Sequence, residues 1–446
     1  MNKKLYISLL TIFVAGVIGG YFLWKKGEGV TELPRLSPRA GEVRPSSEFL
    51  NAERAVDFYR DEIQRHPSVV KNYVQLAGLY IQESRVTGNH HEYLPKVKYL
   101  LEKALSLDAR DFEAVVTKAS LLMTLHQFQG ARALAEKAIA INPYNAFAYG
   151  VLTDALVELG KYGDAVKTCD KMLSLHPDLR SYARASYLRE LYGDARGAEE
   201  AMRLAADAGA AGQENRSWAL YNLGTLYLSE GKVDTAEFIY NGILQERPNY
   251  AFALSGLAQV ECVGKNYGEA TELLVKASQM NPSHLFLQQL ADIYRITGQK
   301  EAEEEVSKQI LQAFKVHRED GYDTYYEYAL YCSNHSIHLK EALEQAREEY
   351  EIRPDNIDAL DTYAWALYKN GKSAEAVPYI EKALRLNTQR AVLHYHAAEI
   401  YHAVNQNAKA LASIDRCFKE NPLFDALYGS NTRTLYASLQ GYASLQ

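Results

Sequence analysis

The chain has 446 residues, of which 47% are hydrophobic and 24% are charged, a balance typical of a folded protein rather than a disordered one. The formal net charge is −7 and no basic stripe appears, so composition does not support a nucleic-acid-binding protein. No two of the four cysteines form a short paired motif, and we expect all of them to be small buried apolar residues.

The first element is an uncharged apolar run over residues 5–24, which predicts a transmembrane helix. At about 1.5 Å per residue, such a run crosses the roughly 30 Å hydrocarbon core of a bilayer. We therefore expect residues 1–26 to be a retained single-pass anchor. A cleaved secretory signal, with its apolar part at residues 5–15, is the alternative. The pair Gly16 and Gly20 leaves a homodimer through the anchor open.

The charges around this run bear on its orientation. Lys3 and Lys4 lie in a very short N-terminal tail, which inserts like a signal anchor and leaves the N-terminus in the cytoplasm. The basic residues that follow the run favour the opposite orientation. We expect the remainder of the chain to lie on the far side of the membrane, in the periplasm.

Residues 27–47 are polar and contain three prolines and several charged residues. Because nothing in this stretch forms an apolar run, we interpret it as a flexible linker.

From residue 48 to residue 424, helix-ending positions recur with a regular period. A leading half-repeat covers residues 52–66, and five of the steps between later closing positions are 34 residues. The closing positions are Pro67, Ala109, Pro143, Pro177, Ala210, Pro248, Pro282, Pro354, Thr388 and Pro422. Regularly placed helix breakers indicate about ten helix–turn–helix repeats after the leading half. Residues 425–446 follow as a C-terminal tail or cap.

Each repeat also has a characteristic turn between its two helices. The residues expected there in a left-handed conformation are Gly160, Gly193, Gly231, Gly298, Gly371 and Asn405. Small residues, such as Ala236, open the second helices and allow the two backbones to approach closely.

The stretch 217–250 shows the pattern most clearly. Leu220, Leu223, Gly224 and Tyr227 share one face of a first helix, and a second helix follows Gly231. This stretch resembles the tetratricopeptide repeat, a 34-residue helix–turn–helix unit. The chain as a whole resembles bacterial proteins with many such repeats.

The resemblance implies an all-α fold, a right-handed α-solenoid whose concave surface is formed by the first helices. It implies a role in binding peptides or partner domains rather than catalysis. In such an array each repeat is expected to contact only its neighbours. The lysine and asparagine pairs with which one subclass clamps the carboxylate of a chaperone tail are missing from the matching positions.

The sequence contains no P-loop, GxSxG or HExxH motif, so we expect no enzyme activity and no cofactor. Cys332, His335 and His338 are spaced as CxxHxxH, but three such residues without a fourth fall short of a zinc signature. His90 and His91 lie in an insertion that we interpret as a solvated loop. A metal site is also not expected among His394, His396 and His402.

Aromatic and acidic residues recur on the first helices of the last two repeats, where we place the candidate partner-binding site. The aromatic centre is Trp365, which we expect to lie exposed in the groove as a binding anchor. The predicted site residues are Trp365, Tyr368, Asp358, Asp361, Tyr395, Glu399 and His402. Carboxylates at the rim favour a basic or amine-bearing partner. The face that carries Trp218 and Tyr221 is the second candidate.

The sequence thus predicts a membrane-tethered scaffold that binds a protein or peptide in its concave groove. One alternative is an exported soluble binding protein, released by signal cleavage. Another is the non-catalytic arm of an enzyme complex, such as a glycosyltransferase.

Overall fold

A computed structural model of the chain describes residues 32–41, 46–428 and 432–443. The predicted anchor at residues 1–26 lies outside these ranges. Among the helices within them, none is both long enough and apolar enough to cross a bilayer.

The described residues form a chain of consecutive α-helices with one short 3-10 helix at Leu384–Leu386. In chain order the α-helices are α1 (Ser47–Arg65), α2 (Val70–Thr87), α3 (His90–Leu107), α4 (Phe112–Thr124), α5 (Phe128–Ile141), α6 (Ala146–Glu158), α7 (Tyr162–Leu175), α8 (Leu179–Leu191), α9 (Ala195–Asp207), α10 (Glu214–Ser229), α11 (Val233–Glu246), α12 (Ala251–Val263), α13 (Tyr267–Met280), α14 (His284–Ile296), α15 (Lys300–Glu319), α16 (Tyr325–His335), α17 (Leu339–Ile352), α18 (Ile357–Lys369), α19 (Ser373–Ala383), α20 (Ala391–Ala403), α21 (Asn407–Glu420), α22 (Phe424–Tyr428) and α23 (Thr432–Ala443).

The helices pair as consecutive hairpins, from α2 with α3 to α20 with α21. This gives ten full repeats, preceded by α1 and followed by α22 and α23, as the spacing of the helix breakers predicts. Leu435 and Leu439 of α23 are buried in the same apolar cluster as the last repeat. The all-α stacked solenoid is therefore confirmed within the described residues.

The turns inside the repeats have the predicted conformation. Gly160 and Gly371 have φ angles of 70° and 75°, and Asn405 has a φ of 60°. The left-handed region is accessible to glycine without the steric cost that a side chain brings, which explains the residue type at these turns.

Small residues also set the spacing between helices, as predicted. The ring of Tyr240 is fully buried. It fills the space that a Cβ atom on Gly224 or Gly256 would enter, at 2.5 and 2.6 Å. The four cysteines are free and buried, which confirms their interpretation as apolar residues of the interior.

The flexible-linker interpretation is wrong for residues 32–41, because this segment packs on the first repeats. Leu36 is buried. The Arg39 guanidinium donates two hydrogen bonds to the Glu83 carboxylate, at 2.9 and 2.8 Å, and one to Glu48 at 2.7 Å. Glu48 also accepts from Arg247 at 2.9 Å. Arg39 is buried because its charge is paired. The polar composition of the segment does not indicate this burial.

The solenoid winds back onto itself, so the expectation that each repeat contacts only its neighbours is also wrong. Hydrogen bonds join residues that are 194 to 203 positions apart, which is about six repeats of 34 residues. These pairs are Gln127 with Gly321, Lys161 with Asp355, Glu158 with Arg353, Tyr162 with Ile357, His126 with Asp323, and Arg390 with Tyr187 and Glu190.

We call this contact between superhelical turns the seam. It joins residues 86–91 with 281–284, 125–127 with 321–323, 157–162 with 353–357, and 187–193 with 387–390. Turns inside the early repeats thus meet connections between the late repeats. The backbones come so close that a Cβ on Gly160 would lie 2.2 Å from the Asp355 carbonyl.

Candidate functional site

A cavity of about 1300 Å³ lies along the first helices of the early repeats. Helices α2, α4, α6, α8 and α10 contribute to its wall one after another, because each repeat presents its first helix at the same place in the solenoid. This volume exceeds that of an ordinary small-molecule pocket, about 300 to 1000 Å³. The cavity has the size of a site for an extended chain.

Uncharged hydrogen-bonding side chains form a large part of the wall of the cavity, beside apolar ones such as Ile81, Phe147 and Leu226. The hydrogen-bonding ones are Gln82, Thr117, Ser120, Thr124, Asn145, Thr153, Ser186, Gln213, Asn215, Asn222, Thr225 and Ser229. Thr117, Ser120 and Thr124 are three and four residues apart, so they share one face of α4. Thr124, Thr225 and Ser229 donate to carbonyls of their own helices, and their hydroxyl oxygens can still accept. Together with the amide side chains, such a wall can pair with a polar chain along its length.

Most charged groups in the wall are neutralised by partners. Arg85 lies 2.6 Å from Glu214, and Arg184 binds both carboxylate oxygens of Asp154. Glu113 and Arg180 form no ion pair with any described residue. Burial raises the pKa of the Glu113 carboxyl. The cavity therefore has little net charge with which to select a ligand.

Trp218 supplies an aromatic surface in this wall. Its ring is half-buried and packs on the apolar cluster that contains Leu179 and Met202, which also line the cavity. The indole N–H has no acceptor among the described residues. A planar apolar surface next to an unused donor is suited to anchor a ligand. The sequence predicts Tyr221 on the same face as Trp218. It instead packs against Tyr240 and Phe252, with ring-centroid distances of 6.0 and 5.5 Å.

The structure brings the seven predicted site residues together on α18 and α20, but it does not leave Trp365 exposed. Trp365 is only 4% exposed, and its indole N–H donates to Asn334 Oδ1 at 2.9 Å. Its ring stacks on His396 with a centroid distance of 4.0 Å. The expectation of an exposed anchor at this position is wrong, because α16 and α20 cover this side of α18.

The other six residues bind one another or their neighbours. Tyr368 donates to Glu399 at 3.0 Å, and Asp361 lies 3.0 Å from His396 Nδ1. Burial raises the pKa of Tyr368 and of Tyr395. Asp358 pairs with Arg390, and His402 lies 3.1 Å from Asn407. These contacts hold α18 against α20 and against the seam, and the seven residues do not line the 1300 Å³ cavity.

The histidine patterns also have structural partners. His335 lies 2.9 Å from Glu303, and Cys332 is fully buried. His90 and His91 begin α3 instead of lying in a loop, which corrects that interpretation. In the part of the chain that the structure describes, no three His, Cys, Asp or Glu side chains are arranged to hold a metal ion.

Comparisons with known proteins agree with the repeat architecture. Family models described as "Tetratricopeptide repeat" match residues 122–190, 218–250 and 357–390. The cellulose synthase operon protein C of Pseudomonas fluorescens (strain SBW25) is 26% identical over 164 residues, which is 35% of this chain and 12% of that protein. The chain thus matches a small part of that relative.

Two solved structures are similar to less than half of this chain. YrrB, described as a tetratricopeptide protein with an unusual peptide-binding site, is 21% identical, with a TM-score of 0.29. The match covers 42% of this chain and 94% of YrrB. PilW, a type IV pilus biogenesis factor, is 18% identical over 46% of this chain and 94% of PilW, with a TM-score of 0.38.

Proposed function

Because this chain is a multi-repeat tetratricopeptide protein, we propose that it is a non-catalytic scaffold that holds an extended segment of a partner protein in the 1300 Å³ cavity. The observation that carries the proposal is the wall of the cavity. Successive first helices present hydroxyls and amides there, with Trp218 as the aromatic surface. The main chain of an extended peptide offers one donor and one acceptor per residue to such a wall.

The proposal moves the site from the last two repeats to the early ones. The residues around Trp365 are engaged within the protein, whereas the Trp218 wall faces a cavity. A partner with low net charge fits this wall better than the basic partner expected from the carboxylates near Trp365, because the cavity's own charges are mostly paired.

We further propose that the scaffold is a right-handed solenoid tethered to the membrane through residues 1–26 and located in the periplasm. The uncharged run at residues 5–24 and its flanking lysines support this. The rival is a soluble protein released by signal cleavage. Mass spectrometry of the mature N-terminus separates the two, because a chain that begins after residue 15 would overturn the tether.

A polysaccharide is the second candidate ligand. Hydroxyl- and amide-rich walls with an aromatic face also suit a neutral sugar chain, and one relative is a cellulose synthase operon protein. Titration of the tryptophan fluorescence with cello-oligosaccharides discriminates the candidates. A saturable change that disappears in Trp218→Phe would favour the sugar, and the absence of a change would favour the peptide.

The cavity proposal predicts a site-specific capture of the partner. A photo-crosslinking amino acid at Ser120, inside the cavity, should capture the partner protein in native membranes. The same group at Phe238, which is 80% exposed and does not line the cavity, should not capture it. Trp218→Ala should then lower the affinity for the captured partner by about tenfold or more, since buried aromatic anchors contribute about 2 kcal/mol.

The matched control is Tyr144→Ala, which removes an aromatic ring that is 81% exposed and lies outside the cavity wall. Its affinity should equal that of the wild type. Equal affinities of Trp218→Ala and the wild type, with both proteins folded by circular dichroism, would exclude the cavity as the binding site.

A further inference from the structure

Three histidine rings from different parts of the chain meet at one end of the seam. His90 begins α3, His284 begins α14, and His317 lies near the end of α15. The centroid of the His317 ring is 6.3 Å from that of His90 and 5.5 Å from that of His284. Tyr322 stacks on His317 at 5.1 Å and lies 5.8 Å from His90. The group therefore joins the first superhelical turn to the second through its rings.

The histidine rings are buried, and two of their nitrogen atoms lack hydrogen-bond partners in the part of the chain that the structure describes. Nδ1 of His90 and Nδ1 of His284 are buried and have no hydrogen-bond partner among the described residues. Burial lowers the pKa of both imidazoles to about 4, and it also lowers the pKa of His317. In the closed seam, all three rings are thus neutral at pH 7.

Charged and titratable groups on every adjoining element face this cluster. They are His91 on α3, His126 in the turn before α5, Lys308 on α15, Asp320 and Asp323 in the connection after α15, and Glu327 on α16. The Asp320 carboxylate raises the pKa of His317, but burial lowers that pKa by more. Burial raises the pKa of Asp323 to about 6 and also raises that of Glu327.

We propose that this end of the seam is a pH-sensitive clasp, which opens in mildly acidic solution when the buried histidines take up protons. Protonation places two or three like charges within one buried cluster, and separation of the turns returns them to water. Because Arg85 lines the ligand cavity and directly precedes the seam segment 86–91, we expect opening to widen access to that cavity. Only this last consequence rests on the proposed function.

The direction in which pH changes the stability of the seam follows from the lowered pKa values of the histidines. A histidine whose pKa is lower in the closed state stabilises the seam fully above its ordinary value, about 6.5, and loses that contribution as the pH falls towards 4. At pH 5, a ring whose pKa rises from about 4 in the closed seam to its ordinary value in the open one shifts the equilibrium towards the open state by about 30-fold. His90 meets this condition directly, and His284 contributes to the extent that opening exposes its ring, which also packs on Phe314 of its own repeat. Asp323 acts oppositely, by about tenfold, and Glu327 acts in the same direction as Asp323, because the closed seam favours the protonated forms of both carboxyls. The two histidines together exceed the tenfold effect of Asp323.

The test is a distance measurement on the full-length chain, without any ligand. Spin labels are placed on exposed positions of α3 and α15 through Lys98→Cys and Lys315→Cys. The native cysteines are buried, and burial raises their thiol pKa to about 11 or 12, so they do not react at neutral pH. Double electron–electron resonance should show one short distance between the two labels at pH 7.5. At pH 5 it should show a second population of molecules with a longer distance.

The double variant H90F/H284F keeps ring packing but cannot take up a proton, and it should retain the short distance at pH 5. His66→Gln, which removes a histidine with a 59% exposed side chain, should open like the wild type. If the phenylalanine variant loses its helical signal at pH 7.5, H90Q/H284Q replaces it.

A wild-type distance that does not change down to pH 4.5 would overturn the proposal. So would an H90F/H284F variant that opens at the same pH as the wild type, because other groups would then control the seam. Neither result depends on ligand binding, so failure of the clasp is distinct from failure of the cavity proposal.

Discussion

Arg353→Met is expected to lower the free energy of unfolding by about 3 to 5 kcal/mol. Arg353 is 4% exposed, and its guanidinium pairs with Glu349 of its own repeat and with Glu158 across the seam. The same group lies 4.9 Å from the centroid of the Phe128 ring. Methionine has a similar reach but no charge, so the substitution leaves two carboxylates in the seam without their cation. Urea denaturation followed by circular dichroism measures the loss.

The chain supplies a matched control on α17, the helix that ends directly before Arg353. Arg347 pairs with Glu351 at 3.9 Å, and its side chain is 55% exposed. Arg347→Met should cost less than about 1 kcal/mol, because water screens an exposed pair. Similar losses in the two variants would mean that Arg353 does not bridge the turns.

Trp365→Ala is expected to lower the free energy of unfolding by about 3 to 5 kcal/mol, because it removes a large buried ring and leaves a cavity. The substitution also removes the donor to Asn334 and the stacking partner of His396, so the contacts of α18 with α16 and α20 are both weakened. Thermal unfolding should shift to a lower temperature in proportion.

Trp365→Phe separates packing from hydrogen bonding. Phenylalanine retains most of the apolar surface, so this variant should lose clearly less stability than Trp365→Ala. If Trp365→Ala were instead as stable as the wild type and defective only in partner binding, the original view of Trp365 as an exposed anchor would be restored.

The sequence predicts local features of this protein well. Gly160, Gly371 and Asn405 were recognisable as left-handed turn residues, because few residue types accept that conformation. Helix breakers at a regular period were enough to count the repeats. Both features depend on residues that are close together in the chain.

The seam was not predictable in the same way. Lys161 and Asp355 are ordinary surface residues in the sequence, and only the accumulated twist of about six repeats brings them together. No local pattern encodes that twist. Arg39, Glu83 and Arg353 are charged residues that are buried. The periodicity of the sequence predicts that charged residues are solvated, because it does not show which partners they have.

The candidate site was misplaced for a related reason. The position of Trp365 on a first helix predicts that it lies on the concave face. First helices lie side by side, however, so a residue on the flank of one is covered by the next. The better signal was the run Thr117, Ser120 and Thr124, in which uncharged hydrogen-bonding residues recur at helical spacing. That run is less conspicuous than a tryptophan.

The central claim is that the solenoid closes on itself through the seam, and a pair of glycines tests it directly. Gly160 and Gly371 have φ angles of 70° and 75°, so an alanine at either position should cost about 1 to 2 kcal/mol in backbone strain. A Cβ at Gly371 meets nothing within 4 Å, whereas one at Gly160 meets the Asp355 backbone at 2.2 Å.

The measurement is the difference in unfolding free energy between Gly160→Ala and Gly371→Ala, obtained by urea denaturation under identical conditions. The seam predicts that Gly160→Ala is the less stable of the two by about 1 kcal/mol or more, because Asp355 must move away. Equal losses would contradict the account, since they would mean that the backbone of the second superhelical turn does not lie against Gly160.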